Sequence, residues 1–241
     1  MLDKKTIKSR LAEMRQSPAP KILWDETCEG SGRALVVFVG PSPGGQKPGA
    51  RRPMNRACFS PLWDEPFEKP LSWSPGFRAS FQPLVEALFQ QPYASAGKLI
   101  ARANLDWLGN PESEDVAERF MFEGAPSTLR LLEDCSPEVI LPMDFKTFRV
   151  LRDVMREAGF LIAECSVADF SVRISDASER YHRSLHAFFA TTHDGREMLV
   201  MKLPQHPARM FRADYATRCG AALRGAATQL YAEHDTNTPR A

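Results

Sequence analysis

The sequence predicts an α/β fold, a three-layer α/β/α domain around a central, mostly parallel sheet. Three observations carry this. Short apolar, β-branched runs recur at ALVVFVG (34–40), KLIARAN (98–104), PEVILPMD (137–144) and FLIAECSV (160–167). Helix-like stretches stand between them. At 241 residues the chain is long enough for one such domain. Strand–helix alternation of this kind builds a parallel sheet covered by helices.

Taken in order, residues 4–16 read as an amphipathic helix and 17–33 as a lead-in loop, with Pro18, Pro20, Gly30 and Gly32. The domain proper spans 34–232. Its first buried strand is ALVVFVG, followed by a Gly- and Pro-rich stretch, 40–76, with no regular pattern. A loop of this length in a compact domain is functional or disordered. Residues 77–91 read as a helix in which Pro83 marks a kink or a second start. KLIARAN is a strand, and 113–135 reads as two short helices split near Gly124-Ala125-Pro126. PEVILPMD is a buried strand, and a helix follows from Phe145 to Ala158, stopped by Gly159. After FLIAECSV comes a polar segment. SLHAFFATT (184–192) and MLVMKLP (198–204) form a hairpin with Asp194-Gly195 as its turn. Residues 212–232 form the last helix, and 233–241 a flexible tail. If the strands ending at Gly40, Asn104 and Pro204 are parallel, the loops beginning there share one sheet edge. That carboxyl edge is where α/β sheets bind ligands.

Composition narrows the function classes. Hydrophobic residues make up 43% and charged residues 25%, as in a soluble globular protein. No apolar run approaches the roughly 18 residues that span a bilayer, and the N-terminus lacks a signal-peptide core. These features point to a cytoplasmic protein without a membrane partner. The five cysteines (Cys28, Cys58, Cys135, Cys165, Cys219) include no C-x-x-C pair and leave an odd count. Neither a metal site nor a disulfide framework is expected, and no cofactor is implied. Net charge is +1, but it is unevenly spread. Lys47, Arg51, Arg52 and Arg56 fall in one acid-free stretch, and Lys202, Arg209 and Arg212 in another. Two such loops on one face suit a polyanion.

GPSPG (40–44) reads literally as G-x-S-x-G, a serine-hydrolase nucleophile elbow. That turn needs a backbone N–H on the residue after the serine, and Pro43 has none. Loss of one oxyanion donor costs about 2.7–4 kcal/mol. The following GGQKPGARRP cannot open a helix. His206 could still act as base to Ser42, which keeps a hydrolase as a minor alternative.

Taken whole, VVFVGPSPGGQKPGARRPMNRACFSP resembles the first active-site motif of the uracil-DNA glycosylase superfamily. There a strand ends in Gly-x-Asp-Pro-Tyr or Gly-x-Asn-Pro-Gly, and an aromatic follows within about twenty positions. Gly40, Pro43 and Gly44 match the second form, and Phe59 matches the aromatic. LIARANLDWLG (99–109) resembles the superfamily strand ending in a base-reading Asn, here Asn104. LVMKLPQHPARMF (199–211) resembles its strand followed by His-Pro and a wedge loop, here His206 and Pro207. The three pieces occur in order between residues 34 and 212.

The resemblance implies a uracil-DNA glycosylase-like fold and a monomer that flips and excises a damaged, deaminated or modified base from single- or double-stranded DNA. Phe59 would stack on the base, which contributes about 1–3 kcal/mol. Asn104 would read its edge, since an amide both donates and accepts. Gly40 and Pro43 would shape the pocket, and His206 would stabilise the departing anion. Gly44, Lys47, Arg51 and Arg209 would meet the DNA backbone, with Met210 as an apolar wedge. The departure lies at Ser42, where the superfamily has Asp or Asn to hold the attacking water. Asp106 is a possible substitute. Ser42 also favours the main alternative, a non-catalytic nucleic-acid or nucleotide binder on the same fold. The base itself stays open among uracil, hypoxanthine, a mismatch and a hypermodified base.

Overall fold

The structure, a computed structural model, describes residues 34–41, 60–61, 75–105, 118–167, 170–173, 180–182, 185–210 and 212–237. The predicted helix at 4–16, the lead-in and most of the Gly/Pro-rich stretch lie outside them.

The first strand, β1 (Val36–Gly40), is buried along its whole length. Strands covered on both faces read as continuous apolar runs, and this one does. Val37 and Val39 enter one core, Val36 and Phe38 the other, by the two-residue period of a strand. A two-residue strand, β2 (Ser60–Pro61), follows. Next come α1 (Pro75–Phe89), which runs through Pro83 as one helix, and the single turn α2 (Tyr93–Ala96). A 3₁₀ turn at Gly97–Leu99 leads into β3 (Ile100–Asn104).

The two short helices expected over 113–135 are one helix among the described residues, α3 (Glu118–Cys135), with Pro126 inside it. An interior proline costs about 3 kcal/mol. Against that, Met121, Ala125, Leu129 and Leu132 form one buried stripe against the sheet and hold both halves in line.

β4 (Val139–Pro142) leads into α4 (Phe145–Glu157). Asp144 caps α4, accepting from the Thr147 N–H at 2.7 Å. Gly159 ends it at φ +94°, where Phe160 N–H donates to Met155 O at 3.0 Å and Gly159 N–H to Arg156 O at 3.1 Å. These are the paired bonds of a glycine-terminated helix, at the predicted stop.

β5 (Leu161–Val167) precedes a small hairpin, β6 (Ser171–Arg173) with β7 (Arg180–His182), inside what reads as a polar segment. The expected hairpin is β8 (Leu185–Thr191) with β9 (Glu197–Met201), turning at Asp194-Gly195. The last helix, α5 (Ala213–Asn237), reaches five residues further than predicted into the expected tail. His234 holds that end, pairing with Glu197 at 2.9 Å and stacking on Phe189 with ring centroids 4.0 Å apart.

The main sheet has the order β2-β3-β1-β4-β9-β8-β5. Its four central strands, β3, β1, β4 and β9, are parallel, while β2 and β8 run antiparallel at the margins. Helices α3 and α4 cover one face, and α1 and α5 the other, each over its own core. The molecule is thus α/β with a mostly parallel central sheet, as the strand–helix alternation requires.

Gly220 sets how closely α5 approaches α1. A Cβ there would collide with the Leu84 carbonyl and stand 3.0 Å from Ala87 Cβ, whereas at Gly225 in the same helix it would meet nothing within 4 Å. Gly220→Ala is expected to lower stability by about 1–3 kcal/mol. Gly225→Ala should raise it by about 0.5–1 kcal/mol through helix propensity. Thermal unfolding of the two variants checks both signs.

Candidate functional site

The register places the strand ends. Gly40 pairs with Asn104, and Val39 with Pro142. Leu105 N–H donates to Gly40 O at 3.0 Å, Met143 N–H to Val39 O at 2.8 Å, and Leu203 N–H to Pro142 O at 2.9 Å. The chain therefore leaves β3, β1, β4 and β9 along one carboxyl edge, at Asn104, Gly40, Met143 and Leu203. Three of these exits open the loops that the sequence singles out.

Asn104 is 2% exposed, a rare state for an amide. Its backbone carbonyl accepts from Thr128 Oγ1 at 2.7 Å. Its side-chain Nδ2 is buried and has no hydrogen-bond partner among the described residues. A buried donor without a partner costs about 1–3 kcal/mol. A buried polar group in that condition is uncommon and calls for a specific explanation. Gly40 makes room for the amide, because a Cβ at Gly40 would stand 2.7 Å from Asn104 Oδ1 and 3.6 Å from Met143 Sδ. The resemblance implies a pocket-shaping role for Gly40. The structure adds that Gly40 and Asn104 are mutually fitted, with Met143, which no motif marks, beside them.

His206 lies on the loop after β9, half-buried. Its carbonyl accepts from Arg209 N–H at 2.8 Å as the chain turns through a 3₁₀ segment, Pro207–Arg209. Strands stand about 4.8 Å apart, so β3 and β9, three steps apart, end roughly 14 Å from each other. A ligand touching both Asn104 and the His206 loop must lie over the ends of β1 and β4.

Arg209 is exposed, and its backbone carbonyl accepts from Gln205 Nε2 at 2.9 Å. Arg212 is ion-paired with Asp214 at 3.1 Å, so part of this basic segment is already neutralised. Met210 is a correction. It is 1% exposed and belongs to the core between α1 and the sheet, so its side chain packs rather than standing out as a wedge. Its carbonyl accepts from the Ser80 hydroxyl on α1, which fastens the segment from below. Ser42, Pro43, Gly44, Lys47, Arg51, Phe59 and Asp106 lie outside the described residues.

A separate cleft of about 190 Å³ opens between α4 and β5–β8, lined by Phe145, Phe148, Arg149, Arg152, Glu164 and His186 among others. Its arginines are matched by acids, Arg149 with Glu118 and Arg152 with Asp153 and Glu164. It contains none of the residues that the sequence marks.

Two of the cysteines are poor nucleophiles. Burial pushes the Cys165 thiol up to about 11 and the Cys219 thiol up to about 12. Among the described residues, no helix is long and apolar enough to cross a membrane. No family model matches the chain, and no curated protein matches it.

The fit between Gly40 and Asn104 gives a direct test. Gly40→Ala should displace the Asn104 amide and cost about 1–3 kcal/mol of stability. Asn104→Ala removes the unpartnered donor and should change stability by less than about 1 kcal/mol. Chemical denaturation of the two variants should therefore find the residue with the smaller side chain to be the one less tolerant of change.

Proposed function

We propose that this chain is a DNA glycosylase of the uracil-DNA glycosylase superfamily, with that superfamily's fold, acting on a base flipped out of single- or double-stranded DNA. The observation that carries the reading is the buried Asn104 amide, fitted against Gly40 at the carboxyl edge of the sheet with its Nδ2 unpartnered among the described residues. A lone donor pairs with an acceptor. The base edge that suits it carries a carbonyl oxygen, as in uracil, hypoxanthine or xanthine, rather than the exocyclic amino group of cytosine or adenine. Flipping costs a few kcal/mol and gives such a base access to the edge.

In the reaction the bond from the sugar C1′ to the base nitrogen breaks. The bonding electrons leave with the base. Water adds to C1′ and gives up a proton, and the base ends neutral after protonation. The strand is left abasic. His206 donates toward the oxygen where negative charge gathers. Phe59 stacks on the base, and Ser42 or Asp106 holds the water. Gly44, Lys47, Arg51 and Arg209 face the phosphates. The order of motifs along the chain supports these roles.

Ser42 supports a second reading. A hydroxyl holds water but is a weak base near neutral pH, so the same edge could bind a base without removing it.

Oligonucleotides carrying uracil, hypoxanthine or xanthine, incubated with the protein and then treated with alkali, separate the two. A glycosylase gives strand cleavage. His206→Ala should lower that cleavage by about 10²–10³-fold and leave DNA affinity nearly unchanged. Salt-sensitive binding without cleavage would favour the binder. Neither cleavage nor binding would remove both.

A further inference from the structure

Asn104 is held from behind by a residue that no motif marks. Thr128 lies on α3, 24 positions along the chain, and is fully buried. Leu105 N–H donates to Gly40 O at 3.0 Å, on the inner side of β3. The N–H and C=O of one trans peptide point in opposite directions. The Asn104 carbonyl therefore faces outward, away from β1. On that side the described residues of β2, Ser60 and Pro61, pair with Arg102 and Ala101. Thr128 Oγ1 donates to the Asn104 carbonyl at 2.7 Å. The peptide that follows the Asn104 Cα is thus tied on both sides, by a strand bond and by a helix side chain.

We infer that Thr128 is a positioning residue for the Asn104 amide. The inference rests on the base-binding reading of Asn104 and deepens it. Thr128 is packed in the core with its hydroxyl donating to the Asn104 carbonyl. That bond sets the peptide plane next to the Asn104 Cα, and with it the base from which the amide is presented, Oδ1 against Gly40. A displacement of about 1 Å in such a group can cost on the order of 100-fold in rate. Thr128 never touches the base.

The test uses the full chain with Thr128→Val, which keeps the shape and removes the hydroxyl, and Thr128→Ser, which keeps the hydroxyl. Two quantities are read: the Asn104 side-chain amide resonances by ¹⁵N NMR, and kcat and KM for base release. Thr128→Val is expected to shift or broaden the Asn104 amide pair and to lower kcat on the order of 10- to 100-fold with KM little changed. Thr128→Ser should restore both to within a few-fold. If Thr128→Val does not fold, Thr128→Cys, a weaker donor of similar size, should give an intermediate effect. Wild-type resonances and kcat in the valine variant would overturn the inference. Loss of kcat in Asn104→Ala alongside that result would leave the base-binding reading standing. If the wild type releases no base and Asn104→Ala alters no binding, the base-binding reading itself fails. An unshifted or shifted Asn104 amide in Thr128→Val then still decides whether the two residues are coupled.

Discussion

The parallel pairing of β1 with β3 on one side and β4 on the other is the constraint on which the rest depends. Because all three strands run the same way and pair in the observed register, Gly40, Asn104 and Met143 reach one edge together. β9 joins through β4 and brings the His206 loop to that edge. A one-residue slip of β3 would move Asn104 to the other face of the sheet and exchange the residues feeding the two cores. The alternation of Ile100 with Ala101 and Ala103 between those cores is therefore also what keeps Asn104 on its face of the sheet.

The site is built against local stability. An amide is buried with a donor that has no partner among the described residues, and a glycine stands inside a strand, where it carries an entropic cost. Both choices are costly one at a time. Together they seat one polar side chain against a glycine at the sheet edge, with the Thr128 hydroxyl on the Asn104 carbonyl.

Much of the sheet was legible because its central strands are apolar on both faces. ALVVFVG could hardly be anything but a buried strand, and Gly159 and Asp194-Gly195 end their elements by conformations that local sequence dictates. What the sequence hid was set by tertiary contact. Pro126 looks like a break, but the stripe from Met121 to Leu132 overrides it. Ser60–Pro61 has no strand signal and pairs only because β3 offers an edge. Residues after 232 look like a tail until His234 meets Glu197 and Phe189. In the site, Gly40, Asn104 and His206 could be chosen from the order of motifs. Their fit could not, because the Gly40–Asn104 contact joins residues far apart in the chain. Met210 shows the opposite case: an apolar residue after His-Pro looks the same whether it faces solvent or core. Thr128 left no trace, since a buried threonine in a helix has no pattern of its own.

The central claim is that the Asn104 amide reads a carbonyl edge of a base held at the carboxyl end of the sheet. The most direct measurement is a crystal structure of the protein with a single-stranded oligonucleotide that carries one uracil with a non-cleavable sugar. The account predicts the uracil out of the strand, over the ends of β1 and β4, with a carbonyl oxygen within about 3 Å of Asn104 Nδ2. A base bound elsewhere, or one over that edge with its carbonyls turned away from Asn104, would contradict it.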